Sequence, residues 1–229
     1  MKKRYFRLGC LLVLIIFIGC MWMEKFSKVI ALRFFRPLDG VTIVLDAGHG
    51  GKDGGANQGD IEEDAINLAI TKKLKVLLED SGANIVMTRV EDVDLASDNA
   101  DNRKKEDMRA RVSYINDDKT DVFISIHLNS FLNTTVQGSQ VFYKANDEQA
   151  KQFAEMIHEQ MKKVTNTKMT IKEGDYYILN ESKKLGVLIE CGFLSNMEDR
   201  NHLVNEDYQY KLAKSIYLGI VQYFSFLNS

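Results

Sequence analysis

The chain has 229 residues, of which 45% are hydrophobic, and a formal net charge of −2, a composition typical of a globular protein long enough for one domain with a full core. Residues 1–36 carry eight basic and one acidic side chain, which leaves residues 37–229 with 22 basic and 31 acidic ones. This acidic body argues against a nucleic-acid partner, because such binding requires clustered lysine and arginine.

The N-terminal segment has the pattern of an export signal. Residues 1–7 are basic and residues 8–23 are apolar without a charge. The apolar run is at the short limit for a membrane-spanning helix, which needs roughly 17–25 residues. We therefore expect an exported, extracytoplasmic protein, with residues 1–25 retained as a membrane anchor or removed as a cleaved signal, residues 26–40 as a juxtamembrane linker and residues 41–229 as the catalytic domain.

The remaining elements follow from hydrophobic spacing and turn residues. An apolar strand over 41–46 runs into a glycine-rich loop that has His49 near its start. After it, the patterns predict helices over 63–80 and 104–115, a helix capped by Asn146 and a C-terminal helix; further strands over 84–88, 121–127, 139–144, 175–179 and 187–190; and exposed loops over 91–102 and 128–138.

Strands that alternate with helices predict an α/β fold, here a single domain with a mostly parallel twisted sheet and helices on both faces. In such sheets ligands bind beyond the carboxyl ends of the strands. His49, His127 and Glu190 each come at the predicted end of a strand, so we expect their side chains to meet there.

Two of the four histidines fit a metal site. His49 and His127 end predicted strands, whereas His158 and His202 fall among polar neighbours on predicted helices, where we expect solvated side chains. A strand-end histidine can equally be an ordinary loop residue. Two of them on strands of one sheet favour a pair of metal ligands.

A third ligand should come from the element that follows the glycine loop, because a catalytic zinc takes three protein ligands and leaves one position for water. Glu62 and Glu63 stand at the start of that helix. An acidic residue there is also a favourable partner of the helix dipole. Periodicity alone does not choose between the two glutamates.

Glu190 is the least expected residue of the sequence, since it follows the apolar run Val187-Leu188-Ile189 directly. A charge at the end of a buried strand needs a partner or a function. The alternatives are a catalytic carboxylate and a structural salt bridge.

Four motifs make the sequence resemble a known family. They are LDAGHGG (45–51), Glu63 with Asn67-Leu68, SIHLN (125–129) and LIECGFLSN (188–196). Together they resemble the zinc-dependent N-acetylmuramoyl-L-alanine amidases of the Amidase_3 family, which cut peptidoglycan. Within the family, the layout is most similar to the membrane-anchored amidases of spore-forming bacteria that act on spore cortex during sporulation and germination.

The resemblance implies that Zn²⁺ is bound by His49, Glu63 and His127 and that Glu190 is the catalytic glutamate. Glu63 is selected over Glu62 because the family's glutamate stands four residues before the Asn-Leu pair. The implied reaction is hydrolysis of the amide between N-acetylmuramic acid and L-alanine, here the peptide removal that precedes muramic lactam formation in cortex. An accessory activating or positioning protein is also implied.

Three other interpretations remain at this point. Cys191 could be a nucleophile, although its side chain should point to the sheet face opposite Glu190. The glycine loop could bind phosphate, but Asp53 follows Gly51-Lys52 where a P-loop needs serine or threonine. The protein could also be a non-catalytic, membrane-anchored module that binds peptidoglycan.

Overall fold

The computed structural model describes residues 36–229. The predicted signal or anchor, and all but the end of the predicted linker, lie outside the described residues. Within residues 36–229, none of the helices combines the length and the apolar character needed to cross a membrane.

The described part of the chain contains eight strands and six helices. The strands are β1 (Thr42–Ala47), β2 (Asn57–Gln58), β3 (Ile61–Glu62), β4 (Asn84–Met87), β5 (Val122–Asn129), β6 (Gln140–Tyr143), β7 (Lys172–Glu173) and β8 (Leu185–Phe193). The helices are α1 (Glu63–Asp80), α2 (Arg103–Ile115), α3 (Glu148–Thr165), α4 (Tyr177–Glu181), α5 (Met197–Leu203) and α6 (Glu206–Leu227).

Six of the strands form one sheet in the order β4-β1-β5-β8-β6-β7, and β2 and β3 form a small hairpin. Neighbouring strands from β4 to β8 run parallel, β6 is antiparallel to β8, and β7 is parallel to β6. The predicted α/β fold with a mostly parallel sheet is therefore confirmed.

Helices cover both faces of the sheet, as predicted. Helices α1, α3 and α6 pack on one face over the larger hydrophobic cluster, and α2 and α4 cover a smaller cluster on the other. Because side chains alternate along a strand, Asp46, His127 and Glu190 share the face of the smaller cluster with Val44 and Leu188. The polar side chains lie toward the carboxyl ends of the parallel strands, where that cluster stops.

Three boundaries differ from the prediction. Residues 175–179 are not a strand: the chain turns at Tyr176, whose carbonyl accepts the amides of Leu179 and Asn180, and enters helix α4. The edge position beside β6 is already taken by β7. Strands β5 and β8 also continue past His127 and Glu190, because the pairing resumes at Asn129 and Phe193 after a register shift.

The cap of α3 differs as well. Asp147, not Asn146, accepts the amide of Ala150, and Asn146 instead adopts a left-handed backbone with a φ of 59°. Asparagine is one of the few residues that adopt this conformation readily. The predicted cap at Asn146 was therefore wrong by one residue.

The contact between α3 and α6 depends on Gly219, and this leads to a stability prediction. A Cβ at Gly219 would lie 2.4 Å from the Cα of Ile157, which is backbone and cannot move aside. In an exposed helix, glycine to alanine stabilises by about 1 kcal/mol. We expect Gly219→Ala instead to lower the free energy of unfolding in urea by about 1–3 kcal/mol.

The matched control is Ser225→Ala on the exposed side of the same helix. It should change the free energy of unfolding by less than about 0.5 kcal/mol. A Gly219→Ala protein as stable as the parent would show that the two helices do not approach so closely.

Candidate active site

The two strand-end histidines meet on one carboxylate oxygen. His49 Nε2 lies 3.4 Å and His127 Nδ1 lies 3.1 Å from Oε1 of Glu63. The three residues each offer one ligand atom, and these atoms lie within 4.8 Å of one another. Two imidazole nitrogens and one carboxylate oxygen match the three protein ligands of a catalytic zinc site, in which water takes the fourth position.

The surroundings of the two candidate glutamates differ. Its side chain is buried, whereas Glu62 is exposed. Oε1 also accepts hydrogen bonds from Asn67 Nδ2 at 3.1 Å and from the amide of Leu128 at 2.9 Å, and Oε2 accepts the amide of Ala56 at 2.9 Å. Glu63 is thus fixed in place by α1, β5 and the glycine loop before any ion binds.

Charge is balanced within this group by the histidines. Burial would raise the pKa of Glu63, but the hydrogen bonds from His127 and His49 lower it well below its usual range. Burial would lower the pKa of His49, but Glu63 and Asp53 outweigh it and raise that pKa to about 9. The metal-free protein therefore places a proton on His49 at neutral pH, where a divalent cation would supply the positive charge instead.

Asp53 orients the first of these histidines. Its Oδ2 lies 3.0 Å from His49 Nδ1, the ring nitrogen that does not face Glu63. A carboxylate on the second nitrogen fixes the tautomer and orientation of a metal-binding histidine. Sequence analysis gave Asp53 no such role, although its position four residues after His49 within the glycine loop was a usable signal.

The backbone around His49 is unusual in two ways. His49 has a φ of 60°, in the left-handed region that L residues other than asparagine and aspartate seldom adopt. A Cβ at Gly48 would lie 2.2–2.6 Å from the ring atoms of His127. The glycine therefore lets the second histidine cross directly over the loop that presents the first.

Arg111 of α2 stabilises this loop from behind. Its buried guanidinium donates to the carbonyls of Ala47 at 2.8 Å and His49 at 2.7 Å. It also forms ion pairs with Asp46 Oδ1 and Asp107 Oδ2, both at 2.8 Å. The guanidinium that binds the carbonyl of His49 is therefore itself held in place by two carboxylates.

A second buried arginine completes what we call the arginine clamp, defined as Arg89 and Arg111. Arg89 donates to the carbonyls of Ala47 at 2.9 Å, Gly48 at 3.0 Å and Asp64 at 2.8 Å. Sequence analysis missed the clamp. Asp46 in the apolar strand β1 was the available signal, since a buried charge there needs a cationic partner.

The carboxylate of Glu190 lies beside His127 and the other candidate ligands. It is the register partner of His127 on the neighbouring strand and is 6% exposed. Among the described residues, its Oε2 has no hydrogen-bond partner and its carboxylate forms no ion pair, so the salt-bridge interpretation was wrong. Burial, helped by the charge of Glu63 and opposed by His127 and His49, raises the pKa of Glu190 to about 7.

These side chains line a cavity of about 300 Å³ at the carboxyl edge of the sheet. Its walls come from α2 and from the chain before and within α4, and they include Lys104, Met108, Tyr176, Tyr177 and Ile178. Burial and the charges of Glu190 and Glu63 raise the pKa of Tyr176 to about 12, so its hydroxyl is neutral and able to donate a hydrogen bond.

The remaining sequence candidates lie outside the site. Cys191 is buried in the larger hydrophobic cluster, on the face opposite Glu190, and burial raises the pKa of its thiol, so it is no nucleophile for this cavity. His202 is exposed, as predicted. The prediction for His158 was wrong: it is buried, with Nε2 3.0 Å from the carbonyl of Met169.

Comparison with known proteins gives a consistent set of relatives. Residues 43–222 match the family described as Amidase_3, N-acetylmuramoyl-L-alanine amidase. The chain is 38% identical over 194 residues, 82% of each chain, to the germination-specific N-acetylmuramoyl-L-alanine amidase of Bacillus subtilis.

Two solved structures share the fold. The CwlD amidase from Clostridioides difficile, solved in complex with the GerS lipoprotein, is 38% identical, with a TM-score of 0.77 over 81% of this chain and 99% of that one. The catalytic domain of CwlV, from Bacillus (Paenibacillus) polymyxa var. colistinus, is 31% identical, with a TM-score of 0.72 over 81% and 98%.

The buried carboxylate of Glu190 predicts a pH-dependent cost to stability. Its pKa in the folded, metal-free protein lies above the ordinary 4.5, so folding favours the protonated form. Stability is then unaffected below pH 4.5 and is lost as the pH rises through 7, by up to about 3 kcal/mol. We expect Glu190→Gln to raise the free energy of unfolding at about pH 8 and to change it little at about pH 4, as measured by urea denaturation in a chelator.

The control for this experiment is Glu181→Gln at an exposed position of α4. It should give the parent's stability at both pH values. A loss of stability in the Glu190→Gln protein at high pH would mean that Glu190 has a stabilising partner.

Proposed function

This chain belongs to the N-acetylmuramoyl-L-alanine amidase family, and on that premise we propose that it hydrolyses the amide between N-acetylmuramic acid and L-alanine in peptidoglycan. The observation that carries the proposal is the arrangement of two imidazoles on the buried carboxylate of Glu63, with the unpartnered carboxylate of Glu190 on the adjacent strand. Such a site would hold a metal ion through the imidazoles and Glu63, and Glu190 would supply a proton acceptor for amide hydrolysis.

We propose Zn²⁺ as the bound ion and His49, Glu63 and His127 as its ligands. The residues fit the ion because the donor set is two nitrogens and one oxygen, and because Asp53 already orients His49. When bound, such an ion lowers the pKa of water toward neutrality and polarises the substrate carbonyl.

Glu190 is the proposed catalytic residue. A carboxylate with a pKa near 7 can accept a proton from the attacking water and return it to the departing nitrogen of L-alanine. Glu190 lines the active-site cavity, and its buried Oε2 is not committed to any other hydrogen bond among the described residues. The neutral hydroxyl of Tyr176, in the same cavity, can donate a hydrogen bond to the substrate.

The proposed cellular role follows from similarity. The relative in Bacillus subtilis is described as germination-specific, so we place the activity of this chain in spore cortex, as the removal of peptide before muramic lactam formation. Residues 1–25 would direct export and either anchor the protein or be cleaved. Residues 26–40 would link this segment to the catalytic domain, which would be residues 41–229.

We also propose an accessory protein as a partner, with no role for nucleic acid. The similar amidase of Clostridioides difficile was solved in complex with a lipoprotein. The elements that frame the site here are exposed loops and the short helix α4, a surface on which a partner could position or activate the enzyme.

Replacing Glu190 tests the proton transfer. Glu190→Gln keeps the size of the side chain but removes the proton acceptor, so we expect the rate of release of L-alanyl peptides from muropeptides to fall by about 10²–10⁴-fold. Zinc content should stay at the parent level, and Glu181→Gln should turn over normally. Hydrolysis by Glu190→Gln at the parent rate would contradict the role assigned to this residue.

Replacing a histidine tests the metal site separately. His127→Ala removes one of three ligands, so we expect the purified protein to lose most of its zinc, as measured by elemental analysis. The control is His202→Ala, an exposed histidine stacked on Tyr208, which should retain zinc. Full zinc content in the His127→Ala protein would exclude His127 as a ligand.

A further inference from the structure

A second cavity, of about 270 Å³, adjoins the active-site cavity. We call it the side pocket and define it by its lining residues, which are Lys52, Asp53, Asp94, Arg103, Lys104 and Asp107. Asp53, Lys104 and Asp107 line both cavities, so the two share a wall. A substrate that reaches the proposed metal ligands can therefore extend into the side pocket.

The three carboxylates of the side pocket already have cationic or protonated partners. Asp53 lies 3.0 Å from His49 Nδ1, and Asp94 lies 2.8 Å from Arg103 Nε. Asp107 forms an ion pair with a buried guanidinium of the arginine clamp at 2.8 Å. Each carboxylate of the pocket thus already interacts with a nitrogen of a neighbouring side chain.

The two lysines of the side pocket are different. Among residues 36–229, neither the Lys52 nor the Lys104 ammonium forms an ion pair, and both side chains are exposed. Burial would raise the pKa of Asp53, but the hydrogen bond and charge of His49 lower it, and the charge of Lys104 adds a smaller lowering effect. The unpaired charge of this pocket is therefore positive, in a body with nine more acidic than basic side chains.

Helix stability does not account for the position of Lys104. Helix α2 begins with Arg103, Lys104 and Lys105, whereas the positive end of a helix dipole favours acidic residues. A lysine in this turn lowers helix stability slightly. Lys104 lines both cavities, whereas Lys105 in the same turn lines neither.

We propose that Lys52 and Lys104 bind a carboxylate of the acidic peptide on the L-alanine side of the scissile amide. The inference rests on the proposed function and adds the direction in which substrate lies. The sugar side of the amide has no free carboxylate, because the lactyl carboxyl is consumed in the bond. An acidic group at the side pocket must therefore come from the peptide, which places the peptide on the side of the active-site cavity that Asp53, Lys104 and Asp107 line in this proposal.

The test uses two soluble substrates that differ only in charge. Both are a disaccharide with L-alanyl-D-glutamate on the muramic acid; in one the two glutamate carboxyls are free, and in the other both are amidated. We expect the full-length, zinc-loaded parent to prefer the free acid in kcat/KM by about tenfold, a preference that shrinks in about 0.5 M NaCl.

Substitutions of the two lysines test whether the side pocket causes the preference for the free acid. Lys104→Gln and Lys52→Gln should each reduce the preference by about three- to fivefold, the contribution of a partly exposed ion pair, because the loss in kcat/KM is larger on the free acid than on the diamide. The matched control is Lys105→Gln, an exposed lysine of the same helical turn that lines neither cavity. An equal loss on both substrates, or an unchanged preference in both lysine variants, would overturn the proposal.

A binding measurement separates the subsite from the hydrolysis. Calorimetry on the zinc-loaded Glu190→Gln protein should show tighter binding of the free acid than of the diamide, and adding Lys104→Gln should reduce this difference. If the parent cleaves neither substrate, the proposed function fails, yet the binding preference still supports the subsite. Equal binding of acid and diamide overturns the subsite, even if the parent hydrolyses both.

Discussion

The candidate site is arranged around one buried carboxylate oxygen, Oε1 of Glu63, which four separate groups approach. His49 comes from the loop after β1, His127 and the amide of Leu128 from β5, and Asn67 from the next turn of α1. A buried charge is unfavourable unless it is hydrogen-bonded and compensated. The elements around Glu63 satisfy the first condition, and a proton on His49 or a divalent ion satisfies the second.

Two features of the site are unfavourable for stability: the left-handed backbone of His49 and the buried carboxylate of Glu190. The left-handed backbone of His49 costs about 1 kcal/mol or more, and the arginine clamp offsets this by binding the carbonyls of the same loop. Glu190 has no such compensation, so the metal-free protein is less stable than it would be with a neutral side chain there. A cost to stability at a functional residue is the usual exchange between activity and stability.

Much of the fold and of the candidate site was predictable from the sequence, because hydrophobic spacing indicates the helices and strands and the strand ends indicate where ligands bind. The spacing indicated the α/β fold, and the positions of His49, His127 and Glu190 indicated a common site. Glu63 could be separated from Glu62 only by family resemblance, since the distinction depends on which carboxylate the β2–β3 hairpin turns inward. The arginine clamp acts through tertiary contacts, for which the charge of Asp46 in an apolar strand was the available signal, and Asp53 acts through a local contact, for which its spacing of four residues from His49 was the signal. Residues 175–179, predicted as a strand, instead lead into helix α4, and β7 takes the position beside β6.

The central claim is that His49, Glu63 and His127 share a single ion with Glu190 beside it. Anomalous scattering at the zinc absorption edge, measured on crystals of the protein grown with Zn²⁺, tests this most directly. The account predicts one strong peak within bonding distance of both imidazoles and the Glu63 carboxylate, with the Glu190 carboxylate unbound next to it. A peak elsewhere, or a peak coordinated by Glu190 in place of Glu63, would contradict it.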